Sequence, residues 1–314
     1  MSNLHVLVTG ANGFVGQALC AKLQACGCQV TAAVRQLGPT AAVFGVNYVQ
    51  IANIDAHSAW QQALNGVDVV VHLAARVHVM QETVSDPLGA FREVNVAGTQ
   101  NLARQAAQAG VKRFIFLSSI KVLGEGGALL NADSPVEAQD AYAASKWEAE
   151  QCLWDIARHT GMEVVIMRPP LIYGPGVKGN FLRLLSLVKS GLPLPLASVQ
   201  NLRTLLSLEN CCSLIWRALE HPAAAGQTLL LGDLEAISTP QLLQTLADAL
   251  GVKLRLWPFP VVGLKLIAQL LGKRAEVDRL CDSLQIDAQK TYALLEWRPQ
   301  LSVREAITIS VQDQ

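Results

Sequence analysis

Three side chains in the middle of the chain have the types and spacing needed for proton transfer at an alcohol or a carbonyl. Tyr142 and Lys146 share one helical face, because they lie four residues apart in the helical pattern DAYAASKWEAEQCL. A lysine ammonium beside a phenol lowers the tyrosine pKa from about 10. Ser119 ends the apolar run FIFLSS, where an open parallel sheet binds its ligands. These residues predict a catalytic site, although YxxxK alone also fits an ordinary amphipathic helix.

A glycine-rich segment, TGANGFVG, follows the first apolar run and opens a helical pattern. Gly10, Gly13 and Gly16 permit a tight turn, and the free amides that start the helix attract a pyrophosphate. The second apolar run ends in Arg35, and the next carboxylate is Asp55. An acidic residue there would hold the ribose of NAD, whereas an arginine accommodates the 2′-phosphate of NADP. We therefore expect a dinucleotide site that prefers NADP(H), with NAD(H) as the alternative, unless Arg35 is only a solvated charge.

Short apolar runs alternate with helical patterns through the first half of the chain. They lack the polar alternation of half-exposed strands, which predicts an α/β fold, a Rossmann-type doubly wound parallel sheet, over residues 1–170. Prolines and helical patterns near 209–220, 239–250 and 261–272 predict a smaller, mainly helical substrate-binding lobe over 171–314, with an interleaved boundary. The expected strands are 4–8, 28–34, 68–74, 113–118 and 163–168.

Composition and charge exclude several classes of partner. The chain has 25 Lys plus Arg and 25 Asp plus Glu, so it has no basic footprint for nucleic acid. The apolar segment 256–273 contains two prolines and Lys265, which leave too short a helix for a membrane anchor, so we expect a core helix and no membrane insertion. No signal-peptide pattern is seen, which indicates the cytoplasm. Seven scattered cysteines without zinc spacing predict no metal site.

An ordered set of motifs extends along almost the whole chain: TGANGFVG, HLAAR, NVAGT, LSSIKVLG, YAASK, RPPLIYGPG and RTLLSLEN. Together they resemble the extended short-chain dehydrogenase/reductases that act on nucleotide sugars. The resemblance implies that Ser119, Tyr142 and Lys146 are the catalytic residues and that a UDP-sugar is the substrate. It also implies a homodimer formed through helices within 91–109 and 142–157.

The resemblance assigns further residues to the cofactor and to the substrate. The pair that contacts adenine in the family is Asp-Ile and is Asn53-Ile54 here, which weakens that expectation. The expected substrate residues are Ser119, Asn180, Arg203 and Arg279, with Phe181 beside Asn180. Lys121 and Glu125 border the sugar or lie in a solvated loop. The expected cofactor residues are Gly10, Asn12, Gly13, Phe14, Val15, Arg35, Asn53, Ile54, Leu73, Ala74, Ala75, Asn95, Tyr142, Lys146 and Pro169.

Departures from the family pattern narrow the reaction. Ile120 and Lys121 replace the acid and base pair of the 4,6-dehydratases, and Leu171 replaces an asparagine that epimerases use on substrate. We therefore expect reduction of the C4 keto group of UDP-4-keto-6-deoxy-N-acetylglucosamine to UDP-N-acetylquinovosamine, in O-antigen biosynthesis. The alternatives are a UDP-hexose 4-epimerase with tightly bound NAD and a non-catalytic NADP-binding sensor.

Overall fold

The strands of the protein follow closely from its apolar runs. The computed structural model describes residues 4–37, 43–77, 86–126 and 129–312. In chain order the strands are β1 His5–Thr9, β2 Gln29–Val34, β3 Asn47–Gln50, β4 Val69–His72, β5 Arg113–Leu117, β6 Leu129–Leu130, β7 Glu163–Arg168, β8 Ile172–Tyr173, β9 Leu206–Ser207, β10 Gln227–Leu230 and β11 Gln285–Ile286.

The helices alternate with these strands in the first half and dominate the second. In chain order they are α1 Phe14–Ala25, α2 Pro87–Arg92, a π-helix Glu93–Gly98, α3 Thr99–Gln108, a 3₁₀ helix Ile120–Leu123, α4 Ala141–Thr160, α5 Asn180–Lys189, α6 Leu208–Glu220, a 3₁₀ turn Pro222–Ala224, α7 Thr239–Leu250, α8 Val261–Leu270, α9 Arg274–Cys281, α10 Gln289–Leu295 and α11 Val303–Gln312.

Seven of the described strands form one parallel sheet in the order β3-β2-β1-β4-β5-β7-β10. The order reverses between β1 and β4, and at such a point the loops separate and leave a crevice at the carboxyl ends of the strands. β10 comes from the second half of the chain yet pairs with β7. The short edge strands β3 and β10 had no sequence prediction.

Helices cover both faces of the sheet, because successive side chains of each strand point to opposite sides. Val6 and Val8 pack in a core that includes Leu19 of α1 and Leu214 of α6. The intervening residue, Leu7, packs in a second core with helices α3 and α4. This arrangement confirms the predicted α/β, doubly wound parallel sheet and explains why its strands are apolar on both sides.

Helix α8 departs from the sequence prediction. We expected a core helix there, but its only buried residue is Ala268, and the prediction is wrong. Val261 and Leu264 touch the edge of a third core, which lies beneath α5, α7 and α11. Val262, Leu266, Leu270 and Leu271, by contrast, are exposed. The stretch was apolar enough for a core position, but periodicity alone does not show whether a partner exists for each face.

No described helix has the length and apolar character required to cross a bilayer. The described residues also hold no group of three or more His, Cys, Asp or Glu side chains arranged for a metal ion. The cysteines are free thiols.

Arg113 at the start of β5 generates a prediction about stability. Its buried guanidinium pairs with Glu163 and donates to the carbonyl oxygens of Ala218 and Leu219 at the end of α6. Arg113→Met leaves these acceptors unpaired, so we expect the free energy of unfolding to fall by about 3 kcal/mol in urea titrations. The neighbouring exposed Lys112 pairs with Asp68, and Lys112→Met should change the free energy of unfolding by less than about 1 kcal/mol. Equal effects would contradict the role of Arg113.

Candidate active site

The turn between β1 and α1 forms the floor of a cleft. Gly10 has φ +66°, and a Cβ there would lie 2.9 Å from the backbone nitrogen of Ala74, at the end of β4. A Cβ on Gly16 would lie 2.2 Å from the Gly10 carbonyl oxygen. The N-cap residue Gly13 supplies no side chain to the first amides of α1. The turn therefore lies tight against β4 and leaves helical amides available to an anion.

The cleft above this turn has a volume of about 840 Å³, which is the size of a cofactor site. Its lining includes residues that end or follow β1, β2, β4 and β5, so it lies at the carboxyl ends of the strands, where an open parallel sheet is expected to bind its ligands. It brings together most of the predicted cofactor residues, namely Gly10, Asn12, Gly13, Phe14, Val15, Arg35, Asn53, Ile54, Leu73, Ala74, Ala75, Tyr142 and Lys146.

Two charged residues border the cleft near the end of β2. Arg35 is exposed there, and Asp55, which is not among the predicted cofactor residues, also lines the cleft. The Asp55 carboxylate accepts hydrogen bonds from the backbone of His57 (2.8 Å) and from Ser58 Oγ (3.0 Å), which lower its pKa. The carboxylate is thus ionised at neutral pH. A cation and an anion both face this part of the cleft.

Asn95 and Pro169 lie behind the cleft wall rather than on it. Asn95 is buried in the π-helix, where it bonds both backbone groups of Arg76 and donates to Ser145 Oγ. The Pro169 carbonyl accepts from the Ile120 amide at 2.9 Å. Neither residue lines the cleft, so their direct contact with a cofactor stays a prediction. Their polar groups instead form hydrogen bonds to the backbone of Arg76 and of Ile120.

Two of the three predicted catalytic residues, Tyr142 and Lys146, line the cleft, and Ser119 lies close enough to Tyr142 to affect its pKa. Asp140 caps α4 through the Ala143 amide, and the first turn of that helix carries Tyr142. Burial and the nearby charge of Asp140 raise the pKa of Tyr142 to about 12, against the lowering effect of Ser119. The prediction that Lys146 lowers this pKa is wrong for the chain alone, because loss of hydration outweighs other effects.

Lys146 lies one turn further along α4 and is almost completely buried. Its Nζ is 3.8 Å from the centre of the Phe116 ring. Burial lowers the pKa of Lys146 to about 7, although the carboxylate of Glu150 opposes the change. His72 is buried between Thr9 (2.7 Å) and Thr99 (2.9 Å). Its pKa is lowered to about 3 by burial and by Lys146, so it stays neutral.

A group of charged residues lies beyond Tyr142. Lys121 pairs with Glu125 (2.5 Å) and with Asp140 (2.9 Å), and these partners raise its pKa although burial acts to lower it. Burial lowers the pKa of Arg203, and the nearby cation of Arg279 lowers it further. The Glu125 carboxylate acts in the opposite direction and raises the pKa of Arg203. The structure therefore places Lys121 and Glu125 in an ion-pair group rather than in a solvated loop. It brings the expected substrate residues Arg203 and Arg279 within electrostatic reach of each other.

Asn180, the remaining predicted substrate residue, lies at the exposed start of α5. The adjacent Phe181 is buried in a stack with Tyr173 at 5.4 Å. Neither they nor the two arginines line the dinucleotide cleft. Phe181 is therefore a core residue that fixes the start of α5.

Sequence reasoning missed several residues of the cleft. Trp60 lines it from a loop and is completely buried, and its indole Nε1 has no hydrogen-bond partner among the described residues. Glu93 and Val94 of the π-helix also line it. No motif marked these positions, because they come from loops and helix ends that only the folded chain brings close.

These residues fit a bound nicotinamide dinucleotide. The tight glycine turn would be filled by any Cβ, the start of α1 lacks a capping side chain, and the unpaired Trp60 indole offers one more donor. Arg35 and Asp55 are both compatible with the adenosine end. The polar groups that line the cleft therefore match the phosphate and ribose groups of such a cofactor.

The buried amine of Lys146 generates a pH prediction. Its pKa is about 7 in the fold against 10.5 when unfolded, so between these pH values the unfolded chain binds more protons and stability rises with pH. Lys146→Met removes this term. We expect the variant to exceed the parent in free energy of unfolding most at pH 7 and below. The difference should shrink toward pH 10.5, by at most about 1.4 kcal/mol per unit. A constant difference in urea titrations would contradict the buried charge.

Comparisons with known proteins agree with this fold and site. The model of the NAD dependent epimerase/dehydratase family matches residues 6–232. A UDP-glucose 4-epimerase from Vibrio cholerae is 41% identical over 316 residues, which cover 98% of this chain and 94% of the relative. An N-acetyl-alpha-D-glucosaminyl-diphospho-ditrans,octacis-undecaprenol 4-epimerase from Escherichia coli O157:H7 is 28% identical over 305 residues, 93% and 89% of the two chains.

A solved structure supports the same relationship. The dTDP-glucose 4,6-dehydratase from Streptomyces venezuelae, with NAD bound, has a TM-score of 0.76 and 26% identity, and the match covers 98% of this chain and 96% of that one. Together with the family match over most of the sequence, these similarities confirm the resemblance seen in the motifs. The chain belongs to the NAD dependent epimerase/dehydratase family.

Proposed function

We propose that this protein is a UDP-hexose 4-epimerase that uses NAD. The observation that carries the proposal is that Tyr142 and Lys146 line a dinucleotide cleft, with Ser119 close enough to Tyr142 to affect its pKa. These residues suit removal and return of a proton at a sugar hydroxyl. The 41% identity to a UDP-glucose 4-epimerase over nearly the whole chain supports C4 of a UDP-hexose as the reacting carbon.

Proton transfer would use Ser119, Tyr142 and Lys146, each in a different role. When bound, NAD supplies the acceptor for the C4 hydride and its later donor. Ser119 would hold the C4 oxygen through its hydroxyl, and Tyr142 would take the proton from that oxygen and give it back. Tyr142 has a high pKa in the chain alone, so it needs a neighbouring positive charge to act as a base at neutral pH. Lys146, whose pKa is about 7, would supply that charge when protonated.

The substrate diphosphate would bind beside the charged group. Arg203 and Arg279 influence each other electrostatically, and guanidinium groups donate paired hydrogen bonds to phosphate oxygens. A diphosphate between them would remove the unfavourable proximity of two cations. Both relatives are named as 4-epimerases, and each name specifies a sugar attached to a diphosphate. These names agree with a diphosphate site at Arg203 and Arg279. Asn180 would add a polar contact at the start of α5.

The choice of NAD rests on two observations. The name of the matching family and the structure from Streptomyces venezuelae both specify NAD. Asp55 also lines the cleft, so a carboxylate faces the site where NAD would bind. The preference for NADP expected from Arg35 finds no support among these relatives.

A second candidate is the NAD(P)H-dependent 4-ketoreductase that the sequence analysis favoured. Leu171 supports it, because this exposed leucine stands where an epimerase asparagine is expected. Arg35 at the cleft also supports it, since it can accommodate a 2′-phosphate. Both candidates share Ser119, Tyr142 and Lys146, so the catalytic residues do not discriminate between them.

The epimerase proposal predicts interconversion of UDP-glucose and UDP-galactose by purified protein without added cofactor. Tyr142→Phe should lower kcat by about 10² to 10⁴-fold, because the proton has no other acceptor, while NAD stays bound. Tyr48→Phe, on the edge strand β3 and outside the cleft, is the matched control and should keep full activity. Chromatography of the two sugars measures the rates. Full activity of Tyr142→Phe would contradict the assigned role.

The reductase candidate predicts a different result. With UDP-4-keto-6-deoxy-N-acetylglucosamine, absorbance of the reduced nicotinamide should fall, faster for NADPH than for NADH, with no interconversion of UDP-glucose. Arg35→Ala should then abolish the preference for NADPH, because it removes the cation beside the 2′-phosphate. If neither NADPH nor NADH is oxidised, the reductase candidate is wrong.

A further inference from the structure

Helix α8 presents a continuous apolar face to solvent. Val262, Leu266 and Leu270 recur every fourth residue and therefore line one side of the helix. Their exposed fractions are 71%, 57% and 88%, and the adjacent Ile267 and Leu271 are exposed by 49% and 67%. Exposed apolar side chains are normal when scattered, but a contiguous set on one helix marks an interaction surface.

The segment that carries this face has a charge unlike that of the rest of the chain. Residues 249–275 contain five Lys or Arg and no Asp or Glu, whereas the whole chain has a formal net charge of zero. Lys265 and Arg274 pair with acidic residues of α9 and of the turn that follows it. Lys253, Arg255 and Lys273 are exposed and form no ion pair within the described residues. Three uncompensated cations therefore flank the apolar face at both ends.

Aromatic side chains lie at the start of the same segment. Trp257 is 43% exposed and meets Phe259 edge to face, with ring centres 5.5 Å apart. Pro260 is the N-cap residue of α8, which begins at Val261. Tryptophan next to a basic, apolar-faced helix is typical of segments that lie in the interface of a bilayer.

We propose that α8 and its flanks, residues 253–274, dock this protein on the surface of an anionic lipid bilayer. The apolar face would lie among the lipid head groups, and the flanking cations would attract the negative surface. The helix lies on the membrane and does not cross it, which agrees with its short length. A second copy of the chain fits less well, because a symmetric contact would bring like charges together.

The docking surface is connected to the substrate side of the protein. Lys265 on α8 pairs with Asp282 at 2.5 Å, and the Asp282 carbonyl accepts a hydrogen bond from Arg203 Nη1 at 2.9 Å. Docking would therefore hold the Arg203 side near the bilayer. The proposal does not depend on the function proposed above, since it uses no catalytic residue.

Flotation of the full-length protein with vesicles tests the proposal. We expect binding to vesicles of phosphatidylethanolamine and phosphatidylglycerol in a roughly 3:1 ratio, weakening as salt is raised, and little binding to phosphatidylcholine vesicles. Leu270→Ser should weaken binding about tenfold, because it removes the most exposed leucine of the face. Ile309→Ser, at an exposed position of α11, is the matched control and should bind as the parent does.

A second pair of variants tests the charge. Lys253→Gln with Lys273→Gln should reduce binding to the anionic vesicles and its salt dependence, while thermal melting stays unchanged. Absence of binding to anionic vesicles would overturn the proposal. So would a concentration-dependent dimer that Leu270→Ser dissociates in the absence of vesicle binding, since α8 would then contact a second copy.

Discussion

The buried ion pair between Glu150 and Arg168 is the interaction on which the geometry of the cleft depends. Glu150 on α4 accepts from Arg168 at the end of β7 and from Ser118 Oγ at the end of β5, each at 2.5 Å. A buried carboxylate is unfavourable unless it is paired and hydrogen-bonded, so these groups have one favourable arrangement. That arrangement fixes α4 against two strand ends and places Tyr142 beside Ser119.

The same burial that fixes α4 also determines the electrostatics of the site. Loss of hydration moves the pKa of Lys146 down to about 7 and that of Tyr142 up to about 12, so both groups favour their neutral forms. Electrostatic interactions between charges are strong at such a buried site, because little water screens them. The charged group of Lys121, Glu125 and Arg203 is less deeply buried than Lys146, and the proposed diphosphate would bind there. In the proposed function, proton transfer and anion binding would thus occupy separate parts of the site.

Much of this architecture is predictable from sequence, because buried parallel strands and glycine turns leave strong local patterns. The β1–α1 turn at Gly10 and the convergence of Ser119 with Tyr142 follow from where such strands end. Trp60 does not, because its place in the cleft depends on how a loop packs. The exposure of α8 and the high pKa of Tyr142 likewise depend on which neighbours are present and on hydration, neither of which periodicity encodes.

Isotopic labelling at the reacting carbon tests the central claim, that this cleft removes a hydride and a proton at C4 of a UDP-hexose and returns them. The protein is incubated without added cofactor with UDP-glucose that carries deuterium at C4, and the products are analysed by mass spectrometry and NMR. We expect UDP-galactose that retains deuterium at C4, because the hydride returns to the carbon that it left. Loss of the deuterium to solvent, or no UDP-galactose from protein that contains NAD, would contradict the account.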